Sequence, residues 1–155
     1  MEQLNIHRVD DKLKHLYMDL LIIGDESEKM IARYIGRGTL YAGNIGDKAV
    51  AVCMVTEEAP DTVEVKNLAV APEFRRRGIG RQMLSHIESL HHGKTIQLGT
   101  GETPSTLRFY ESCGYRFSHR IAGFFTDNYP APIIEEGVRL TDMIYLTKKN
   151  GVSAN

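Results

Sequence analysis

At 155 residues, 42% apolar and 25% charged, the chain is long enough to bury a full core and has the make-up of an ordinary soluble globular protein. A net charge of −1 argues against a nucleic-acid partner, and the longest apolar run, around Leu20-Leu21-Ile22-Ile23, is far too short to span a membrane. The N-terminus lacks the apolar stretch of a signal peptide, and Cys53 and Cys113 have no motif spacing; they read as buried free thiols of a cytoplasmic protein.

In chain order, Leu4 and Ile6 begin a short strand. Asp10 or Asp11 then caps a helix whose Leu13, Leu16, Tyr17, Leu20 and Leu21 share one face, closed by Gly24. Asp25-x-x-Glu28 resembles a capping box opening a second helix, with Ile31, Tyr34 and Ile35 as its apolar side. Leu40–Asn44 and Ala49–Thr56 read as a hairpin across Gly46-Asp47-Lys48, and the second of these strands, apolar on both faces, is expected at the sheet centre. A turn at Glu57 to Asp61 leads to a strand containing Val63, Val65, Leu68 and Val70, which Pro72 stops. The next helix carries Ile79, Met83, Leu84, Ile87 and Leu90 on one face and ends at Gly93.

Thr95–Gly99 is a fifth strand, parallel to the fourth through a right-handed crossover. Thr103 caps a helix with Pro104 in its first turn and Gly114 at its end. Beyond it lie a loop rich in aromatics and prolines (Phe124 to Pro132), an acidic pair at Glu135-Glu136, a last strand at Asp142–Leu146, and a frayed tail from Lys148 to Asn155. Neither a repeat nor a linker divides the sequence, so residues 1–155 are expected to form one domain.

The chemistry centres on Val63 to His92, which reads as strand, basic Gly-containing turn and helix. A helix N-terminus has unpaired N–H groups and partial positive charge, and glycine lets the backbone approach a ligand, so an anion, most often a phosphate, fits there. Arg75, Arg76 and Arg77 add fixed charge. Ile79-Gly80-Arg81-Gln82 after Gly78 lacks the Lys and Ser/Thr of a P-loop, and the three-glycine dinucleotide fingerprint is also unmet.

What matches is Val70-x-Pro72-x-x-Arg75-x-x-Gly78-x-Gly80, which resembles the acyl-CoA pyrophosphate loop of the GNAT superfamily of N-acetyltransferases. Phe109-Tyr110-Glu111-Ser112-Cys113-Gly114-Tyr115 resembles the second signature of that family, and the two stand at the family's separation. The resemblance runs from about Thr39 to Thr147. It implies a small, bacterial-type single-domain member with a mixed α+β fold in the order β-α-α-β-β-β-α-β-α-β-β, mostly antiparallel, with parallel, splayed strands four and five.

The resemblance also implies roles. Arg75, Arg76, Arg77, Gly78, Ile79 and Gly80 would hold the pyrophosphate of acetyl-CoA. Leu68, Ala69 and Val70 would run beside its arm, with Ala69 as donor to the acetyl carbonyl. Where many members carry an Asn against the pantetheine, this chain has Thr103, with Ser105 nearby. Tyr110 would protonate the leaving thiolate. An alkylammonium with a pKa of about 10.4 needs a base, and Glu64, six residues before Val70, stands where several family members place one. Glu64 shares a face with Asn67 only if a bulge intervenes, and it reads equally as a cross-strand partner for a Lys.

The histidines show no metal-ligand spacing, so no metal is expected, and no Ser-His-Asp or Cys-His nucleophile motif occurs, so transfer is expected to be direct. Glu26, Glu28, Glu57, Glu58, Asp127, Glu135 and Glu136 would draw a cationic amine: a polyamine, an aminoglycoside-like compound or a peptide N-terminus. Phe124-Phe125 and Tyr129 form either a substrate wall or a contact between copies, and a homodimer is expected. A non-catalytic acyl-CoA sensor is the other reading, from which the presence of both Glu64 and Tyr110 argues away.

Overall fold

In the computed structural model, which describes residues 3–151, strand β1 (Leu4–Arg8) is followed by helices α1 (Met18–Gly24) and α2 (Glu28–Ala32). Strands β2 (Thr39–Ile45), β3 (Lys48–Ala59) and β4 (Thr62–Val70) form a meander. Helix α3 (Ile79–Leu90), strand β5 (Thr95–Gly101) and helix α4 (Pro104–Ser112) complete the crossover region. The chain closes with β6 (Arg116–Ile121), α5 (Phe124–Asn128), a small hairpin β7 (Ile134–Glu135) and β8 (Val138–Arg139), and β9 (Met143–Lys149). The main sheet runs β1-β2-β3-β4-β5-β9-β6, and β4 with β5 is its parallel pair. The mixed α+β order with a parallel centre is the expected one.

Two cores lie on opposite faces. Val50, Ala51, Cys53 and Val55 of β3 pack with Ile79, Met83, Leu84 and Ile87 of α3, while Val52 and Met54 pack with Leu21, Ile31 and Tyr34 under α1 and α2. Strand β3 is therefore buried on both faces, as its continuous apolar run requires. The helical stripe of α3 reaches the core up to Ile87; Leu90, in its last turn, is left half exposed.

The first helix departs from expectation. Asp10 does cap, accepting from the Lys12 amide at 2.9 Å, but Asp11–Tyr17 is a 3-10 helix. Residues three apart eclipse in that geometry, so Leu13 and Leu16 stack together on the solvent side, 47% and 66% exposed. Lys14 takes the inner side, donating to the carbonyls of Ile35 (2.8 Å) and Gly38 (2.6 Å) in the turn that follows α2. The cap of α2 is Ser27, whose hydroxyl accepts from Met30 at 3.2 Å; Asp25 is engaged elsewhere.

The C-terminal third holds more structure than its composition suggested. Phe124–Asn128 is helical, and Glu136 and Gly137, both at positive φ, make the two-residue turn between β7 and β8. Phe125, Ile133 and Leu140 form a small core of their own. Strand β9 extends through Lys149, so Lys148 belongs to the sheet and binds Glu88 at 3.0 Å; residues 152–155 of the expected tail lie outside the described residues. Among the described residues no helix is long and apolar enough to cross a membrane.

The burial contrast in the first helical segment predicts that Leu21→Ala lowers stability by about 2–5 kcal/mol. Leu16→Ala stays within about 0.5 kcal/mol of the parent. Urea unfolding of both variants checks this, and equal losses would contradict the 3-10 geometry.

Candidate active site

The site begins with one extra residue in β4. Met54 pairs with Asn67 and Val55 with Val65, so Lys66 is bulged out of the β3–β4 ladder. The bulge resets the alternation. Val63, Val65, Leu68 and Val70 all serve the α3 core, whereas Glu64, Lys66, Asn67 and Ala69 face α1 and α2. Glu64 and Asn67 thus share a face.

From the same point β4 and β5 part. Their pairing runs from Thr62–Thr95 to Val65–Leu98; beyond it β4 follows β3, while β5 follows β9 to Gly101–Met143. The Ala71 amide donates to Val50 on β3 at 2.8 Å, and the β3–β4 register is unbroken back to Asn67. In an antiparallel ladder the hydrogen-bonding direction alternates. The Ala69 amide therefore also faces β3, and those of Leu68 and Val70 face the gap. This corrects the expectation for Ala69: its N–H belongs to the ladder. Arg75 Nε donates to the Val70 carbonyl at 3.4 Å from the gap side.

A cavity of about 740 Å³ follows the gap from Leu68, Ala69 and Val70 to the basic turn and the start of α3, with Ser105, Thr106, Phe109 and Tyr110 as its other wall. Gly78 caps α3 at φ 76° with no side chain to fill the cap, and Arg76 is also left-handed at φ 64°. The first intrahelical bond is Gln82 to Gly78, so the amides of Ile79, Gly80 and Arg81 are free for an anion. A Cβ on Gly80 would stand 3.3 Å from Phe109 Cζ, so α4 closes tightly there. Arg75 and Arg76 line this cavity, and Arg81 joins them while bonded to Ser112. Arg77 does not: its guanidinium lies 4.9 Å over the Phe74 ring and donates to the Glu73 carbonyl. Thr103 is also turned away, 1% exposed and bonded to Thr106 at 2.9 Å; Ser105 reaches the cavity and donates to Glu136.

A second cavity, about 230 Å³, opens on the other side of the splay between the α1–α2 loop, β5 and the C-terminal segment. Ile23, Leu68, Thr106 and Tyr110 line both cavities and mark their junction. The Tyr110 hydroxyl has no hydrogen-bond partner among the described residues, and burial, with the thiols of Cys53 and Cys113 adding, raises its pKa above the ordinary phenol range. It stays protonated through the physiological range. Thr106 was missed from the sequence, although it lies one helical turn before Tyr110 and so on the same face.

Around the second cavity, Asn67 donates to the Leu21 carbonyl (2.8 Å) and to Tyr34 (3.1 Å). Tyr34 and Tyr129 in turn donate to the two oxygens of Asp25, at 3.1 and 2.7 Å. Burial and the Asp25 carboxylate raise both phenols. Glu64 sits in an adjoining room of about 220 Å³, which shares Asp25, Val65, Lys66, Gly99, Tyr129 and Met143 with the second cavity. It is 4% exposed; Lys66 pairs with it at 2.7 Å, Gln97 donates to it at 2.7 Å and Tyr145 at 3.1 Å. Glu64 is thus a buried carboxylate, and the Lys that pairs with it stands two residues on in the same strand, not across the ladder as the sequence reading had it.

The family model described as "Acetyltransferase (GNAT) domain" matches residues 36–117, which hold both the basic turn and α4. The chain belongs to the GNAT acetyltransferase family. It is 31% identical over 152 residues to the uncharacterized N-acetyltransferase YvbK of Bacillus subtilis, covering 94% of this chain and 96% of that one. Among solved structures, a GNAT family acetyltransferase of Elizabethkingia anophelis with acetyl-CoA bound superposes with a TM-score of 0.87 at 32% identity, over 96% of this chain and 99% of that one. A Bacillus cereus protein described as an IAA acetyltransferase gives 0.88 at 31%, over 95% and 99%. This GNAT chain is accordingly an acyltransferase, and among its described residues no group of three or more His, Cys, Asp and Glu side chains could hold a metal ion.

Proposed function

We propose that this GNAT chain moves an acetyl group from acetyl-CoA directly to a primary amine of a small molecule or peptide. The observation that carries the reading is the junction itself. A free phenol and an open backbone amide stand where a basic, phosphate-suited cavity meets an acidic one. The residues fit acetyl-CoA: free α3 amides with Arg75 and Arg76 suit its pyrophosphate, and the Val70 amide suits an amide of its extended arm, taken as an added strand. The Leu68 amide, at the junction, then donates to the thioester oxygen, where negative charge develops.

The amine attacks the acetyl carbon from the acidic side. A C–N bond forms, the C–S bond breaks, and the thiolate takes the Tyr110 proton. The amine's proton passes through water to Glu64, which Lys66 pairs at 2.7 Å. Cys53 is wholly buried with its thiol pushed up to about 12, and neither cysteine lines the junction, in keeping with direct transfer.

Tyr110→Phe is expected to cut kcat by about 10²-fold or more while acetyl-CoA affinity, read by calorimetry, holds. Equal loss of both, or of neither, removes Tyr110 from the acid role. Gly80→Glu sets bulk and negative charge among the free α3 amides, so acetyl-CoA binding is lost while the circular dichroism spectrum persists; undiminished binding would sink the loop assignment. Glu64→Gln is expected to lower kcat by about 10²-fold. A variant that loses only stability assigns Glu64 to the Lys66 ion pair alone. Binding of acetyl-CoA with no turnover on any amine would favour a sensor.

A further inference from the structure

We propose that the acceptor of this site is a dication, a linear diamine or polyamine, with one nitrogen at the junction and a second ammonium held at the cavity mouth by Glu26 and Glu135. The proposal rests on the acetyltransferase reading above and specifies its substrate class.

The charges of the second cavity are one-sided. Asp25, Glu26 and Glu135 line it, and Lys66, its cation among the described residues, is already held by Glu64. Asp25 stands in the wall with both oxygens bound by tyrosine hydroxyls. Glu26 and Glu135 make no ion pair among the described residues. Partial desolvation at the cavity wall, then the neighbouring charges of Glu26 and Glu136, raise the carboxyl of Glu135, a residue exposed at the cavity mouth, so these acids repel one another and a second ammonium between them relieves that repulsion. Of the acidic residues that the sequence offered, Glu28, Glu57, Glu58, Asp127 and Glu136 do not line this cavity, and Glu58 is paired with Arg37.

A second observation is independent of the acids. Asn67 is 3% exposed and lines the same cavity, yet its Oδ1 has no donor. The amide cannot be flipped to fill it, because Nδ2 must donate to the Leu21 carbonyl. Oδ1 lies against Gly24, where a Cβ would overlap it. A buried acceptor without a donor is matched by an amine N–H. Phe125, Ile133 and Leu140 offer apolar wall to a methylene chain between the two nitrogens. No free cation in the cavity is available to a substrate carboxylate, so amino acids are disfavoured.

The test compares kcat/KM for putrescine, spermidine, n-butylamine and γ-aminobutyrate, in the parent and in the Glu26→Gln/Glu135→Gln double variant; both positions are exposed, so folding is not at stake. Putrescine and spermidine are expected to exceed n-butylamine by about tenfold or more, with γ-aminobutyrate the poorest. In the double variant, and in the parent at high salt, the ratio of putrescine to n-butylamine falls toward one. Turnover with n-butylamine equal to putrescine, or best with γ-aminobutyrate, overturns the dication while leaving the acetyltransferase standing. A preference that survives the double substitution overturns the roles of Glu26 and Glu135. Absence of turnover on every amine, with acetyl-CoA bound, overturns both readings.

Discussion

One inserted residue, Lys66, sets the geometry on which the site depends. Without it β4 would alternate uniformly, and Leu68 and Val70 would face α1 and α2 while Asn67 and Ala69 faced α3. With it, the apolar side chains on either side of the bulge all reach the α3 core, and the polar trio Glu64, Lys66 and Asn67 falls on the acceptor face. The stronger local twist that accompanies a bulge lets β4 stay with β3 as β5 stays with β9. Two amides that an unbroken parallel ladder would have consumed are left open at Leu68 and Val70. The cost of opening the ladder is met by packing on both faces of β3 and by the Asn67 bond to α1.

The charges follow the same division. On the α3 side the helix terminus, Arg75 and Arg76 make a positive end; on the α1–α2 side the lining acids make a negative one, and Tyr110 stands between them, neutral. On the proposed reading an anionic donor and a cationic amine are drawn from opposite directions to a common point, which orders the two reactants before any bond changes. Burial keeps the Tyr110 phenol protonated, so on the proposed reading it stands as a neutral donor beside the leaving sulfur.

Much of this was legible in the sequence. The strand, basic turn and helix from Val63 to Leu90 were readable because the apolar positions change there from a strand's spacing to a helix's, and the cap of α3 needs the φ that Gly78 supplies. Even the bulge is written in the spacing, since the apolar series Val63, Val65, Leu68, Val70 takes one step of three. What sequence could not give was direction. Whether Ala69 or its neighbours face the gap depends on which strand claims each amide, and Arg77 leaves the cavity because Phe74 offers a cation a nearer face. Leu13 and Leu16 fit an α-helical stripe on paper, but burying Lys14 against the end of α2 tightened that segment to three residues per turn. Helix α5, five residues long, is stabilised by Phe125 packing in a local core and so left little trace in periodicity.

The parts that bind the two reactants are also separated along the chain. Residues 36–117, the span that matches the family model, contain both open amides, the anion-binding turn and Tyr110. The acidic lining at Asp25, Glu26 and Glu135, and the apolar wall at Phe125, Ile133 and Leu140, come from outside that span. They are joined across more than a hundred residues of sequence by the Tyr129–Asp25 hydrogen bond, at 2.7 Å. Chemistry is held on strands and long helices, where rigidity keeps the junction aligned. The proposed acceptor recognition falls on a loop, a short helix and a hairpin, which can change their side chains without moving Leu68 or Tyr110. On the proposed reading the acceptor is therefore encoded in the terminal thirds of this chain, and the span that matches the family model carries the reaction while those segments select the amine.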